Sequence, residues 1–402
     1  MEGAGVAPRD DINAEGQLGH MVVQTTTAGG ERWSTYRSYL EPALDRANLK
    51  VATFATATKI LFEDEDSVDG SPPRAVAVQY RDAAGKIRVT RAKKEVIVSA
   101  GAIHSPQLLL LSGIGPAEEL QAAKIPVVVD LPGVGRNLQD HPLVDGMEYE
   151  CAPPLCNVDW AHHLKDLAEY KAARRGPLSA AGLLQLAAFI RTDLDPPPQG
   201  GPAKQPDLQI GFANIIDDNG TRCFSYDQWR FNRIKAMPAL LRPRSRGSVR
   251  LNATNPEGQP IVSMGYFSDP DGHDLGVIVK GLEFVRKLQS SLREHGVNLS
   301  SNPAPAKYCS DLDADSAEYL KCLTRTATLS MWHWSCTCRM GREDDEEAVV
   351  NPRLLVRNVR GLRVVDASVM PTVTSGNTNA PVILIAEKAS DLIREDHGIP
   401  KV

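Results

Sequence analysis

Two short apolar runs stand near opposite ends of the 402-residue chain and share one grammar. Glu95-Val96-Ile97-Val98-Ser99-Ala100-Gly101 is β-branched at its centre and closes on small residues. Leu362-Arg363-Val364-Val365-Asp366-Ala367 closes on an acid and a small residue. A short run of this kind reads as a buried, parallel strand. Each run is followed by a helix start. Ser105-Pro106 opens Gln107–Leu111, with Pro near the first turn, and Asn379-Ala380-Pro381 opens Val382–Glu395, with Asn379 as the cap. The two ends therefore read as parts of one α/β domain.

The stretch between them reads differently. Helical patterns over His162–Ala173 and Asp274–Leu292 mix with strands over Gly247–Leu251 and Pro260–Met264. Pro196-Pro197-Pro198-Gln199-Gly200-Gly201-Pro202 reads as an exposed loop. Ahead of the first parallel run, Leu49–Phe54 and Thr58–Phe62 read as strands. Ala75–Tyr80 and Lys86–Thr90 read as a hairpin about Ala83-Ala84-Gly85. The division expected is 1–140 in the first domain, 141–330 in an inserted lobe, and 331–402 returning to the first domain.

Composition narrows the partners. A net charge of −5 gives no electrostatic reason to expect nucleic acid. No apolar segment approaches the roughly 18 residues that cross a bilayer. The first residues do not read as a secretory signal. Seven cysteines without a repeated spacing do not describe a disulfide framework, and Cys336-Thr337-Cys338 lacks the second pair that a structural metal needs.

Five blocks carry a resemblance, in order. Gln24-Thr25-Thr26 through Tyr39-Leu40 is the first. Gly101 through Pro116 is the second and runs on into Pro132-Gly133-Val134-Gly135-Arg136-Asn137-Leu138-Gln139-Asp140-His141-Pro142. Gly176-Pro177-Leu178 and Ser245-Arg246-Gly247-Ser248-Val249 are weaker. Trp332-His333-Trp334-Ser335-Cys336-Thr337-Cys338-Arg339-Met340-Gly341 is followed by Val365 through Thr372 and Ser375-Gly376-Asn377-Thr378-Asn379-Ala380-Pro381. Together they resemble the glucose–methanol–choline oxidoreductases, most closely the choline- and glucose-dehydrogenase-like members.

The resemblance implies a mixed α/β and α+β fold. An incomplete Rossmann-like FAD-binding domain, its N-terminal βαβ unit missing, is interrupted by a substrate-binding lobe with an antiparallel sheet flanked by helices. It implies FAD as cofactor, with Ala57, Ser99, Ala100, Gly101, Asp366, Ala367 and Asn379 at the cofactor. It implies oxidation of a small-molecule alcohol, with hydride passing to flavin N5 and oxygen or quinone as electron acceptor.

His333 falls on the catalytic histidine of the family and Asn377 on the second catalytic position. An imidazole titrates near neutrality and can take a hydroxyl proton. A second polar side chain fixes the oxygen for transfer. Without the flanking blocks, a histidine between two tryptophans reads as a packed core residue, and Trp332 and Trp334 read equally as pocket walls or core. The other histidines, His141 among them, read as structural or surface residues.

Two departures from the family pattern are visible. Cys336 stands where members usually carry Gly, and Trp334 where many carry Pro. A left-handed backbone at 336 would strain a cysteine. The Gly-rich turn that opens the family's FAD domain is also missing from this sequence. The alternative expectation is therefore a truncated, non-catalytic member that does not hold FAD, with any targeting signal in the missing front. Substrate, oligomeric state and compartment are not readable from these residues.

Overall fold

The computed structural model describes residues 1–14, 16–63, 71–145, 147–150, 160–179, 186–194, 205–218, 221–224, 232–294, 300–301 and 308–400. The Pro196–Pro202 loop expected from the sequence lies outside the described residues. The chain forms two compact units. One contains Met1–Lys50, Pro142–Arg242 and Asp271–Met331; the other contains Val51–His141, Pro243–Pro270 and Trp332–Val402.

The second unit is centred on the parallel pair. Val96–Val98 lies beside Leu362–Val364 with Val96 opposite Leu362 and Val98 opposite Val364. The amide of Val365 extends the ladder to the carbonyl of Val98 at 2.8 Å. Alternation puts Val96 and Val98 in the core and leaves Ile97 45% exposed. The core continues through Leu109, Leu110, Ile114, Leu120, Leu138 and Val349, all fully or almost fully buried.

A three-stranded antiparallel sheet adjoins, formed by Thr56–Phe62, Ala75–Arg81 and Ile87–Arg91. Its pairing shifts between Ala57 and Lys59, so Thr58 is bulged out of register. The sequence reading of Leu49–Phe54 as a strand does not hold: no strand forms there, and Phe54 takes φ 53°. A β-branched or aromatic run extends only when a neighbouring strand takes up its backbone groups.

The helix expected to open at Ser105-Pro106 starts earlier, at Gly101, and runs to Leu111 with Pro106 inside it. Proline in a helix removes the amide that would bond four residues back. The carbonyl left over is that of Ala102. The hydroxyl of Thr337 donates to it at 2.6 Å, so a distant side chain replaces the missing helical bond.

Arg363 is another buried fixture of this unit. Its guanidinium donates to Glu95 Oε2 and to the Arg353 carbonyl, each at 2.6 Å, and also pairs with Asp396. Strand Leu362–Val364 is thereby tied to the end of helix Asn379–Asp396.

The first unit holds a nine-stranded sheet with antiparallel pairing throughout its described registers. Gly19–Val22 pairs with Leu186–Ile190, which pairs with Leu208–Asp218, which pairs with Arg233–Leu240. Helix His273–Glu294 packs on this sheet. Gly281 permits the approach, since a Cβ there would meet Pro238 Cβ at 2.7 Å.

Two segments group differently from the boundaries read at 140 and 330. The first fifty residues join the nine-stranded sheet through Gly19–Val22. Residues 243–270 join the parallel unit, because Gly247 exchanges main-chain bonds with Leu138 at 2.8 and 3.0 Å and Val249 donates to Gly135. Long-range backbone pairing of this kind leaves no periodic trace in sequence.

The cysteine reading also needs correction. Cys309 and Cys322 form a disulfide across a Cα separation of 6.1 Å. The bond ties the middle of helix Ala317–Thr326 to the turn before it. A local closure over 13 residues needs no repeated spacing to form. Among the described residues, no helix is long and apolar enough to cross a membrane.

Candidate functional site

Of the residues predicted to meet a cofactor, Ser99, Ala100, Gly101, Asp366 and Ala367 follow the carboxyl ends of the two parallel strands. Ser99 and Ala100 are exposed, and Gly101 is half-buried at the first position of its helix. Gly101 adopts φ 81°, a backbone state that suits glycine, and a Cβ there would meet nothing within 4 Å. The space in front of it is open to a ligand.

Asp366 is buried, and its carboxylate is already engaged. Oδ2 accepts from the Gly101 amide at 2.9 Å and from Ser105 Oγ at 2.5 Å. Oδ1 accepts from the amide and hydroxyl of Ser368 at 2.8 and 2.5 Å. Asp366 therefore caps helix Gly101–Leu111 and fastens it to the end of strand Leu362–Val364. A carboxylate at the helix N-terminus offsets the positive end of the dipole. The carbonyls of Asp366 and Ala367 accept from the amides of Val369, Cys336 and Met370, and Ala367 is half-buried.

Ala57 is exposed on the strand that bulges at Thr58. Asn379, expected as a helix cap, instead occupies the first position of its helix and is exposed, with Thr378 before it as the cap residue.

His333 sits on an irregular strap. Trp332 and Cys336 both take left-handed backbone, with φ 58° and 75°. Between and beyond them the strap is pinned on two sides. Ser335 exchanges main-chain bonds with Gln139 at 3.0 and 3.2 Å. Cys336, Cys338 and Met340 donate in succession to the carbonyls of Ala367, Ser368 and Val369 at 2.8–3.1 Å. The sequence-based concern about position 336 is thus realised: a cysteine occupies a conformation that favours glycine.

On this strap the His333 ring is nearly buried, 9% exposed. The Asp140 carboxylate holds the His333 amide at 2.8 Å, and Tyr266 donates its hydroxyl to the other carboxylate oxygen at 2.5 Å. On the ring, Nε2 lies 3.4 Å from Asn377 Nδ2, and Nδ1 lies 2.8 Å from Nδ1 of His141. Burial pushes the His333 imidazole below its ordinary value, with the Asp140 charge acting in the opposite direction. A lowered imidazole favours its neutral form. Burial also raises the neighbouring Cys336 thiol to about 12, so it stays protonated.

The structure brings His333 and Asn377 together and leaves both tryptophans facing solvent: Trp332 is 71% exposed. It also adds residues that the sequence reading set aside. His141, taken as structural or surface, is fully buried against His333. Asp140 stands beside it in the same sequence block, so a signal was present. Nothing in the sequence singled out Tyr266.

Comparison with known proteins bears on the family and the fold. Two sequence models described as GMC oxidoreductase match residues 2–143 and 243–386. Glucose dehydrogenase [FAD, quinone] of Drosophila pseudoobscura pseudoobscura is 35% identical over 96% of this chain and 60% of its own length. Oxygen-dependent choline dehydrogenase of Burkholderia pseudomallei is 37% identical over 98% of this chain and 64% of its own. The chain thus spans under two thirds of the length of these relatives. An FAD-dependent oxidoreductase of Chaetomium thermophilum has the same fold, with a TM-score of 0.81, 22% identity and coverage of 99% of this chain and 71% of that one.

Proposed function

The chain belongs to the GMC oxidoreductase family, and on that premise we propose that it serves FAD-dependent oxidation of an alcohol CH–OH group, with His333 as the base. The observation that carries this reading is the His333–Asn377 pair: a buried neutral imidazole whose Nε2 lies 3.4 Å from an amide nitrogen.

The residues fit the cofactor at the parallel strand ends. Gly101 presents open space at a helix start, and Ser99 and Ala100 are exposed beside it. Main-chain groups of Ala57 and Ala367 and the first turn of helix Asn379–Asp396 would complete the contacts, the helix turning its positive end toward negative charge. When bound, FAD supplies the two-electron acceptor for the hydride that leaves the alcohol carbon.

The work of this chain is at the oxygen. Asn377 donates from its amide to orient the hydroxyl. His333 Nε2 takes the hydroxyl proton as the carbon gives up its hydrogen with both electrons, so the alcohol becomes a carbonyl and the imidazole an imidazolium. Positioned proton transfer of this kind contributes typically 10²–10⁴-fold in rate. An oxygen- or quinone-class acceptor would then take the two electrons, as the names of the two relatives suggest. The test is anaerobic flavin bleaching by a panel of alcohols. His333→Ala should abolish bleaching while bound flavin remains; bleaching at an unchanged rate would remove His333 from the chemistry.

A second reading is a family member that keeps the fold without holding flavin. Two observations favour it. The Asp366 carboxylate already occupies the start of helix Gly101–Leu111, and Cys336 strains the strap that carries His333. Flavin retention by the purified chain separates the two readings.

A further inference from the structure

We propose that His141 is a positioning residue that holds His333 in its Nδ1–H tautomer, so that Nε2 carries the lone pair. The proposal deepens the reading of His333 as base and rests on it for its functional meaning.

The geometry carries the argument. The two Nδ1 atoms are 2.8 Å apart, a hydrogen-bond distance, with ring planes at 89° and centroids 5.0 Å apart. His141 is fully buried and His333 nearly so. In a hydrogen bond between the two Nδ1 atoms, only one of them carries the hydrogen.

Suppose His141 donates. His333 must then carry its hydrogen on Nε2, pointing it at the amide nitrogen of Asn377, itself a donor, 3.4 Å away. Two donors would face each other, and no lone pair would remain toward the substrate side. Suppose instead that His333 donates to His141. Nε2 is then an acceptor, matched to the Asn377 amide until a substrate hydroxyl comes between them and gives its proton to that lone pair. Only the second arrangement satisfies both ring nitrogens of His333.

The same bond remains useful after proton transfer. An imidazolium keeps its Nδ1–H, so donation to His141 persists and becomes charge-assisted, which shortens and strengthens it. A partner on the remote nitrogen of a working histidine fixes both tautomer and ring orientation. Here that partner is a second imidazole rather than a carboxylate. The nearby carboxylate, Asp140, is spent on the His333 main-chain amide and on the Tyr266 hydroxyl.

Imidazole 15N NMR of the full chain labelled at histidine reads the tautomer directly. His333→Gln identifies the resonances. The expected result is an unprotonated Nε2 and a protonated Nδ1 for His333 near neutral pH. His141→Leu should shift His333 toward the Nε2–H form that an unconstrained imidazole prefers. His141→Asn, which places an amide oxygen near the former Nδ1, should restore the Nδ1–H form. In flavin-loaded protein, His141→Leu should lower alcohol-driven bleaching by about 10–100-fold, the usual scale for groups that orient a working side chain, with partial recovery in His141→Asn.

An Nε2–H tautomer for His333 in the unaltered chain overturns the proposal, even if no variant folds. An Nδ1–H tautomer that persists in folded His141→Leu overturns the role given to His141. An Nδ1–H tautomer that depends on His141, combined with full activity of His333→Ala, leaves the positioning intact and removes the base assignment instead.

Discussion

Thr337 donates its hydroxyl hydrogen to the main-chain carbonyl of Ala102 at 2.6 Å, and Ala102 is the residue whose helical partner Pro106 takes away. One side chain of the His333 strap thereby completes the helix that begins at Gly101. The His333 strap is thereby joined to the helix start at Gly101 as well as, through its main chain, to Ala367, Ser368 and Val369.

Thr337→Val should cost about 1–3 kcal/mol, because it leaves a buried carbonyl without a donor. Thr337→Ser should recover most of that. The sharper check is a double-mutant cycle by urea denaturation. Pro106→Ala returns an amide to the Ala102 carbonyl, so Thr337→Val should cost much less in that background. Equal costs in both backgrounds would separate the two residues.

Cys336 predicts an inverted order of side-chain size. The thiol is fully buried against Met370 and Val373, so truncation should destabilise. Its φ of 75° should nevertheless make Cys336→Gly more stable than Cys336→Ala, since a left-handed residue bearing a Cβ costs roughly 1–2 kcal/mol. Thermal unfolding of the two variants gives the order; a more stable alanine variant would remove the strain.

Arg363 should be among the most sensitive positions outside the candidate site. Arg363→Ala leaves Glu95 and Asp396 without their shared buried partner, and breaking such a pair typically costs about 3–5 kcal/mol. The hydrogen bond from Arg363 holds the Asp396 carboxyl below its ordinary value of 3.8. A depressed carboxylate stabilises the fold above its unfolded value and loses that contribution as pH falls through the folded one. The stability gap between wild type and Arg363→Ala should therefore narrow below about pH 3.8. Chemical denaturation across pH tests both statements.

Asp140→Asn should move the titration of His333 downward. Burial is the larger influence and lowers the imidazole; the Asp140 charge raises it. Removing that charge leaves the lowering unopposed. A base works only when neutral, so the acidic limb of any His333-dependent rate should shift to lower pH. NMR titration of His333 measures the shift without requiring turnover, and an upward shift would contradict the account.

Much of this was legible in sequence where a local rule carries the signal. The runs around Val96–Val98 and Leu362–Val364 announced a parallel pair because burial on neighbouring strands writes itself as apolar β-branched residues. His333 and Asn377 were legible only through ordered blocks on either side. What escaped was set by tertiary contacts. Pro106 read as a helix start because nothing local shows that Thr337 will satisfy Ala102. His141 read as a bland residue because its meaning comes from a ring across the unit. The assignment of residues 1–50 and 243–270 to their units depends on backbone bonds to distant strands, which composition does not encode.

The measurement closest to the central claim is the absorbance spectrum of the purified 402-residue chain after incubation with FAD and gel filtration. The account predicts a flavin band travelling with the protein, bleached anaerobically by an alcohol and no longer bleached in His333→Ala. A colourless protein would contradict it and leave the chain a family member that keeps the fold without the cofactor.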